Sequence, residues 1–155
     1  MIKELSSISD TELSCYLSYL VNLLSFYKNY SLICKEIEEF LFEKTVDNVR
    51  LSNQLFWTIT QCIANPSSHN YYTKLRNNLV KKLSKNDYRL FQNGYDFTLN
   101  LIQLANNSGD NLVNKLSHHL SSYEFNDNGF YLPINFDKSF NSVSYTHLRA
   151  HETVL

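Results

Sequence analysis

Leucine, isoleucine and aromatic side chains recur every three or four positions from residue 13 to residue 120, the spacing that gathers them on one face of an α-helix. Leu13, Tyr16, Leu17, Leu20, Val21 and Leu24 form the first stripe. Ser9 followed by Glu12 sets its start, since in a capping box each side chain satisfies a free backbone N–H of the other residue. Ile33, Ile37, Phe40, Leu41 and Lys44 trace a second helix, with Glu36, Glu38, Glu39 and Glu43 on its wet side. A turn at Asp47-Asn48 leads into a third, with Leu51, Leu55, Phe56 or Trp57, and Ile59 inward. Asn65-Pro66 ends that helix, and Pro66 is placed to open the next.

The fourth stripe is Tyr71, Tyr72, Leu75, Leu79 and Leu83. Ser84, with Asp87 three residues on, caps a fifth helix whose inward set reads Tyr88, Phe91, Tyr95, Thr98, Leu99 and Ile102. Gly94 lies inside it, and a glycine there costs about 1 kcal/mol relative to alanine, which makes it a candidate point for a break or kink. After the turn Asn106-Asn107-Ser108-Gly109, Asp110 begins a short sixth helix carrying Leu112, Val113, Leu116 and Leu120. Helical periodicity ends at Ser121. Asn126-Asp127-Asn128-Gly129 signals a turn, and Phe130-Tyr131-Leu132-Pro133-Ile134 reads as extended. The pattern predicts an all-α fold: an antiparallel helical array of the α-α superhelix or solenoid kind, with a short extended segment near 130–135.

Composition fits that reading. Aromatic residues make up 14% of the chain, enough to fill a core, while 3 Gly and 2 Pro leave few positions for hairpins or phosphate-cradling loops. A net charge of −1 provides no general attraction for nucleic acid. Cys15, Cys34 and Cys62 form no Cys-x-x-Cys pair and read as reduced, mostly buried thiols of a cytosolic protein. No apolar stretch approaches the roughly 20 residues of a membrane span.

Val143 to Thr153 looks like one translation frame of a transposase adapter used in preparing sequencing libraries. Residues 143–155 are therefore set aside as an artefactual tail, with the reading frame expected to be cut near Ser142. His147 and His151, four apart beside Glu152, would suit a metal on a helix; their place in this tail makes them coincidence.

The remaining residues align in order with one family. Ile8-Ser9-Asp10-Thr11-Glu12-Leu13, Tyr16-Leu17 and Leu20-Val21 resemble a helix of phosphatidylinositol 3-kinase catalytic subunits, and Phe26-Tyr27 follows where that family has an aromatic. Phe40-Leu41, Lys44, Asn48, Arg50-Leu51 and Leu55-Phe56-Trp57 are similar to the next helix pair of its accessory domain, where an aromatic-Trp pair packs centrally. Tyr131-Leu132-Pro133-Ile134-Asn135 resembles the short strand leading into the kinase N-lobe. Thr58-Ile59-Thr60 and the acid-poor stretch from Asn65 to Asn70 depart from the family pattern and leave its class open.

The resemblance implies that residues 1–122 are part of the helical accessory (PIK) domain and 123–142 a linker and the start of the kinase domain. It implies an intact enzyme that phosphorylates the inositol 3-hydroxyl of phosphatidylinositol lipids with ATP and Mg²⁺. The implied partners are the kinase domain of the same chain and a regulatory subunit, with membrane contact through the intact enzyme and a cytoplasmic, peripheral location; no nucleic acid is expected. The alternatives are the helical region of a phosphatidylinositol 4-kinase and a free-standing helical adaptor.

No catalytic, cofactor or metal residue is expected in this piece. Gly94, Gly109 and Gly129 are isolated, so no glycine-rich loop exists, and no Asp-Phe-Gly appears. The residues singled out are structural: Leu17, Leu20, Phe40, Leu41, Leu55, Phe56 and Trp57 as the core. His118 and His119, adjacent on a helix and pointing about 100° apart, read as a solvated face. Lys74, Arg76, Lys81, Lys82, Lys85 and Arg89 read as the wet sides of two helices, not as a lipid-binding patch. Tyr71, Tyr72 and Tyr88 read as packing at the rim of the core.

Overall fold

Asp10–Tyr27 (α1), Ser31–Thr45 (α2), Val49–Ile63 (α3), His69–Lys82 (α4), Lys85–Asn107 (α5) and Leu112–Ser122 (α6) follow one another, then a hairpin of Phe130–Leu132 (β1) and Asn135–Phe140 (β2). The computed structural model describes residues 7–27, 31–107, 111–122, 130–133 and 135–140. The fold is all-α, the hairpin being the sole β element among those residues. By their contacts the residues divide into two units, Met1–Tyr88 and Arg89–Leu155.

Local chemistry sets the starts of α1 and α3 and holds the end of α2. The Glu12 carboxylate accepts from the Ser9 backbone N–H at 3.0 Å, and the Ser9 hydroxyl accepts from the Glu12 N–H at 3.3 Å, which completes the capping box. The Asn48 side chain accepts from Leu51 N–H at 3.1 Å and opens α3 from an extended conformation. Its Nδ2 donates to Asp10 at 2.7 Å, so the starts of α1 and α3 are tied together. Ser52 donates to the Thr45 carbonyl at 2.6 Å, which also accepts from the Asn48 N–H at 2.9 Å, so the end of α2 is tied to α3.

Helix α3 is the hub. It packs against α1, α2 and α4, while α1 also meets α2, and α2 meets α4. Leu51, Leu55, Phe56, Trp57 and Ile59 are buried on α3, and so are Ser52, Asn53 and Thr58. A helix covered on this many sides has little wet face, so some of its polar residues are buried as well. Ser14 and Gln54 clamp α1 to α3 twice: the Ser14 hydroxyl donates to Oε1 at 2.7 Å, and Nε2 donates to the Ser14 carbonyl at 2.8 Å.

In the second unit, Leu90, Phe91, Gly94 and Phe97 are the buried side of α5. Phe97 meets Phe130 of β1 with ring centroids 5.0 Å apart. The strands pair antiparallel, Phe130 opposite Phe140 and Leu132 opposite Asn135, with an irregularity between.

Several expectations are corrected in detail. Tyr16 is 57% exposed and Ile33 38%, whereas Phe42 and Cys34 are buried on α2. Pro66 does not open α4: it sits in a turn held by Asn65, whose side chain accepts from the Ser67 N–H at 3.0 Å, and the helix begins at His69. The inward face of α5 is rotated from the expected one. Tyr88, Leu99 and Ile102 are exposed, and Leu90 and Phe97 take their place. Gly94 causes no break, because it lies on the packed side, where the missing side chain removes bulk. Val113 is exposed on α6. The pairing of β1 with β2 was not expected from the sequence. The turns at 108–110 and 126–129 and the tail 143–155 lie outside the described residues.

Asn53 is fully buried, and neither atom of its amide has a hydrogen-bond partner among the described residues. An unsatisfied buried amide costs on the order of 1–3 kcal/mol. Asn53→Leu, which keeps the branching and heavy-atom count of the side chain without its polar atoms, is expected to raise the unfolding free energy by about 1 kcal/mol in a urea titration. A loss of stability in that variant would refute the reading of the site as strained.

Candidate functional site

The aromatic segment of α3 packs at right angles to itself. Phe56 and Trp57 have ring centroids 5.7 Å apart at 87°, an edge-to-face arrangement that suits the charge distribution of both rings. On α4, Arg76 places its guanidinium 5.9 Å from the Phe56 ring. Lys82 similarly lies 5.7 Å from the Phe42 ring. These two cations therefore help cover aromatic surface, while Lys74, Lys81, Lys85 and Arg89 are exposed. Leu17, Leu20, Phe40, Leu41, Leu55, Phe56 and Trp57 are all buried, contributed by α1, α2 and α3 together.

Tyr71 and Tyr72 stand edge to face, 5.2 Å apart, and send their hydroxyls to different helices. Tyr71 donates to Glu38 of α2 at 2.6 Å, and Tyr72 donates to the Val21 carbonyl of α1 at 2.8 Å. Both phenols resist ionisation. Burial is the larger cause for each; for Tyr71 the Glu38 carboxylate adds to it, and Tyr72 is pushed up to about 12. Burial also pushes the Cys34 and Cys62 thiols up, which disfavours the nucleophilic thiolate. Cys15 is exposed, and all three cysteines are free thiols.

A polar hollow of about 320 Å³ lies beside Tyr72, lined by Ser18, Asn22, Thr58, Gln61 and Cys62 among others. The Cys62 thiol donates to Asn22 Oδ1 there at 3.6 Å. Hydroxyls, amides and the Cys62 thiol line the hollow, and no His, Asp, Glu, Lys or Arg is among the described residues that do. Among the described residues no group of three His, Cys, Asp or Glu side chains is placed to hold a metal ion. No helix among them is long and apolar enough to cross a membrane.

The structure brings His118 and His119 closer in role than their sequence spacing implied: both line one hollow, together with Lys115. Tyr88 is 43% exposed and separate from the Tyr71–Tyr72 pair in role. The inter-helix tyrosine bonds were missed in sequence. The signal for them was present in adjacent tyrosines on one helix, whose directions about 100° apart must reach two neighbours.

The family model for the phosphoinositide 3-kinase family accessory domain (PIK domain) matches residues 1–92. That span holds all four helices of the first unit and the start of α5. No curated protein and no solved structure gives a significant match.

Trp57→Ala is expected to cost about 3–5 kcal/mol of unfolding free energy through cavity formation, readable as a lower denaturation midpoint. Stability should also fall at alkaline pH. The Tyr72 phenol titrates at about 12 in the folded chain and near 10 when unfolded. The folded value is raised, so its contribution is complete below pH about 10 and declines as pH rises toward 12. Urea melts across pH 8–12 should show that decline, and Tyr72→Phe should flatten it.

Proposed function

The chain belongs to the phosphoinositide 3-kinase family through its accessory (PIK) domain, and from that membership we propose that it braces a lipid kinase acting on the inositol 3-hydroxyl of phosphatidylinositol. The observation that carries this reading is the coincidence of the family match with a unit of four mutually packed helices whose apolar faces are buried. Such an array is stiff because each helix buries its stripe on its neighbours, which leaves outer faces free for other parts of an assembly.

In this reading the kinase domain is the first partner and lies in the same polypeptide. ATP and Mg²⁺ belong to that domain: this sequence has no glycine-rich loop or Asp-Phe-Gly to receive them. The intact enzyme is proposed to be cytoplasmic and peripheral, meeting the membrane through its other domains and accepting a regulatory subunit. The outer side of α1 supports a docking role, because Tyr19 and Phe26 are 65% and 76% exposed on it. Apolar side chains so placed are commonly covered in an assembly.

The test is to recover the uninterrupted coding sequence past Ser142, express the full-length protein and supply phosphatidylinositol, ATP and Mg²⁺. The expected result is a downstream kinase domain and a product phosphorylated at the 3-hydroxyl. A stop codon soon after Phe140, or a 4-phosphate product, would overturn the proposal.

A further inference from the structure

Beyond the family-matched span, α5 and α6 face each other across a groove with a consistent chemical character. Lys115, His118 and His119 lie three and four residues apart on α6, within an arc of about 100°, so all three side chains share one face. On α5, Asn100, Gln103, Leu104 and Asn107 occupy a similar arc by the same spacing. The two rows line adjoining hollows of about 320 and 380 Å³, which have Leu104, Lys115 and His119 in common. No acidic side chain lines either hollow among the described residues.

His119 is the anchored member of the triad. Its ring stacks on Phe97 with centroids 6.4 Å apart at 26°, and Phe97 packs against Phe130 in turn. The imidazole is therefore a half-buried, oriented wall, while Lys115 and His118 are exposed at the rim. Lys115 supplies up to three N–H donors, each imidazole at least one in either charge state, and each amide two. Donors from several directions, with no carboxylate lining the hollows among the described residues, suit a tetrahedral oxyanion. A divalent cation is disfavoured, because the lysine repels it and only two imidazoles are available as strong ligands.

We propose that this groove is a binding site for a phosphate group, held by Lys115, His118 and His119, with the α5 amides receiving hydroxyls of the molecule that carries it. The hollows are far larger than a bare ion needs, and the amide row is neutral, which fits a phosphomonoester of a polyhydroxylated compound. That group arrives either on a soluble compound or on a lipid headgroup.

The experiment uses the full chain, with inorganic phosphate, glycerol 3-phosphate, and phosphatidylcholine vesicles with and without phosphatidic acid as probes. Saturable binding of inorganic phosphate is expected by NMR, with perturbed His118 and His119 ring signals that chloride at equal ionic strength does not reproduce. Lys115→Gln and His118→Gln, both at exposed positions, should each weaken phosphate binding by about tenfold, the scale of one charge-assisted hydrogen bond. Lys74→Gln/Lys81→Gln, on exposed sites of α4, should leave it unchanged. Preference for glycerol 3-phosphate assigns a soluble ligand; retention on phosphatidic acid vesicles assigns a headgroup; either supports the site. Absence of saturation, or equal affinity in Lys115→Gln and His118→Gln, would overturn it, as would equal weakening in the α4 control.

Discussion

Burial of α3 on several sides is the constraint from which the first unit follows. A helix carrying Leu51, Leu55, Phe56, Trp57 and Ile59 spreads apolar surface around much of its circumference and cannot be stable at an edge. One neighbour covers only a stripe, so α1, α2 and α4 are all required. The cost falls on the polar residues between the apolar ones. Ser52 resolves it by bonding to the Thr45 carbonyl, and Thr58 by bonding back to Gln54 at 2.8 Å. Asn53 does not resolve it, which makes it a frustrated position in this helix.

Bonds between helices add specificity to that burial. Hydrophobic contact alone tolerates sliding of one helix along another. The Ser14–Gln54 clamp and the Asn48–Asp10 bond fix α1 against α3 at two heights. The tyrosine pair does the same for α4, with one hydroxyl on α2 and the other on α1. A phenol that is buried and hydrogen-bonded combines packing area with a directional lock. Such a frame has the fixed geometry that a bracing element of a multidomain kinase would need.

Much of this was legible in sequence, and the misses share a cause. Caps were readable because Ser9…Glu12 and Ser84…Asp87 are local patterns with local chemistry; in the second, the Asp87 N–H donates to Ser84 at 3.0 Å. The stripe of α1 was readable except at Tyr16, where a tyrosine at the edge of the arc keeps its hydroxyl in water. The rotation of α5 was not readable. Its aromatic and aliphatic residues occur on two faces, and Gly94 looked like an interruption when it belonged to the packed side. The α5–α6 groove was hidden for another reason: its two rows come from separate elements, and neither pattern is informative until the helices meet.

The bond from Tyr72 to the Val21 carbonyl spans 51 residues, and that interval has a consequence while the polypeptide is being made. At translation speeds of 5–20 residues per second, Val21 emerges roughly 3–10 s before the residue that will cap it from α4. During that interval α2 and α3, the helices that pack on α1, are synthesised, so the leucine face of α1 has its cover before the directional bond from α4 exists. Closure then waits on the fourth rod leaving the ribosome.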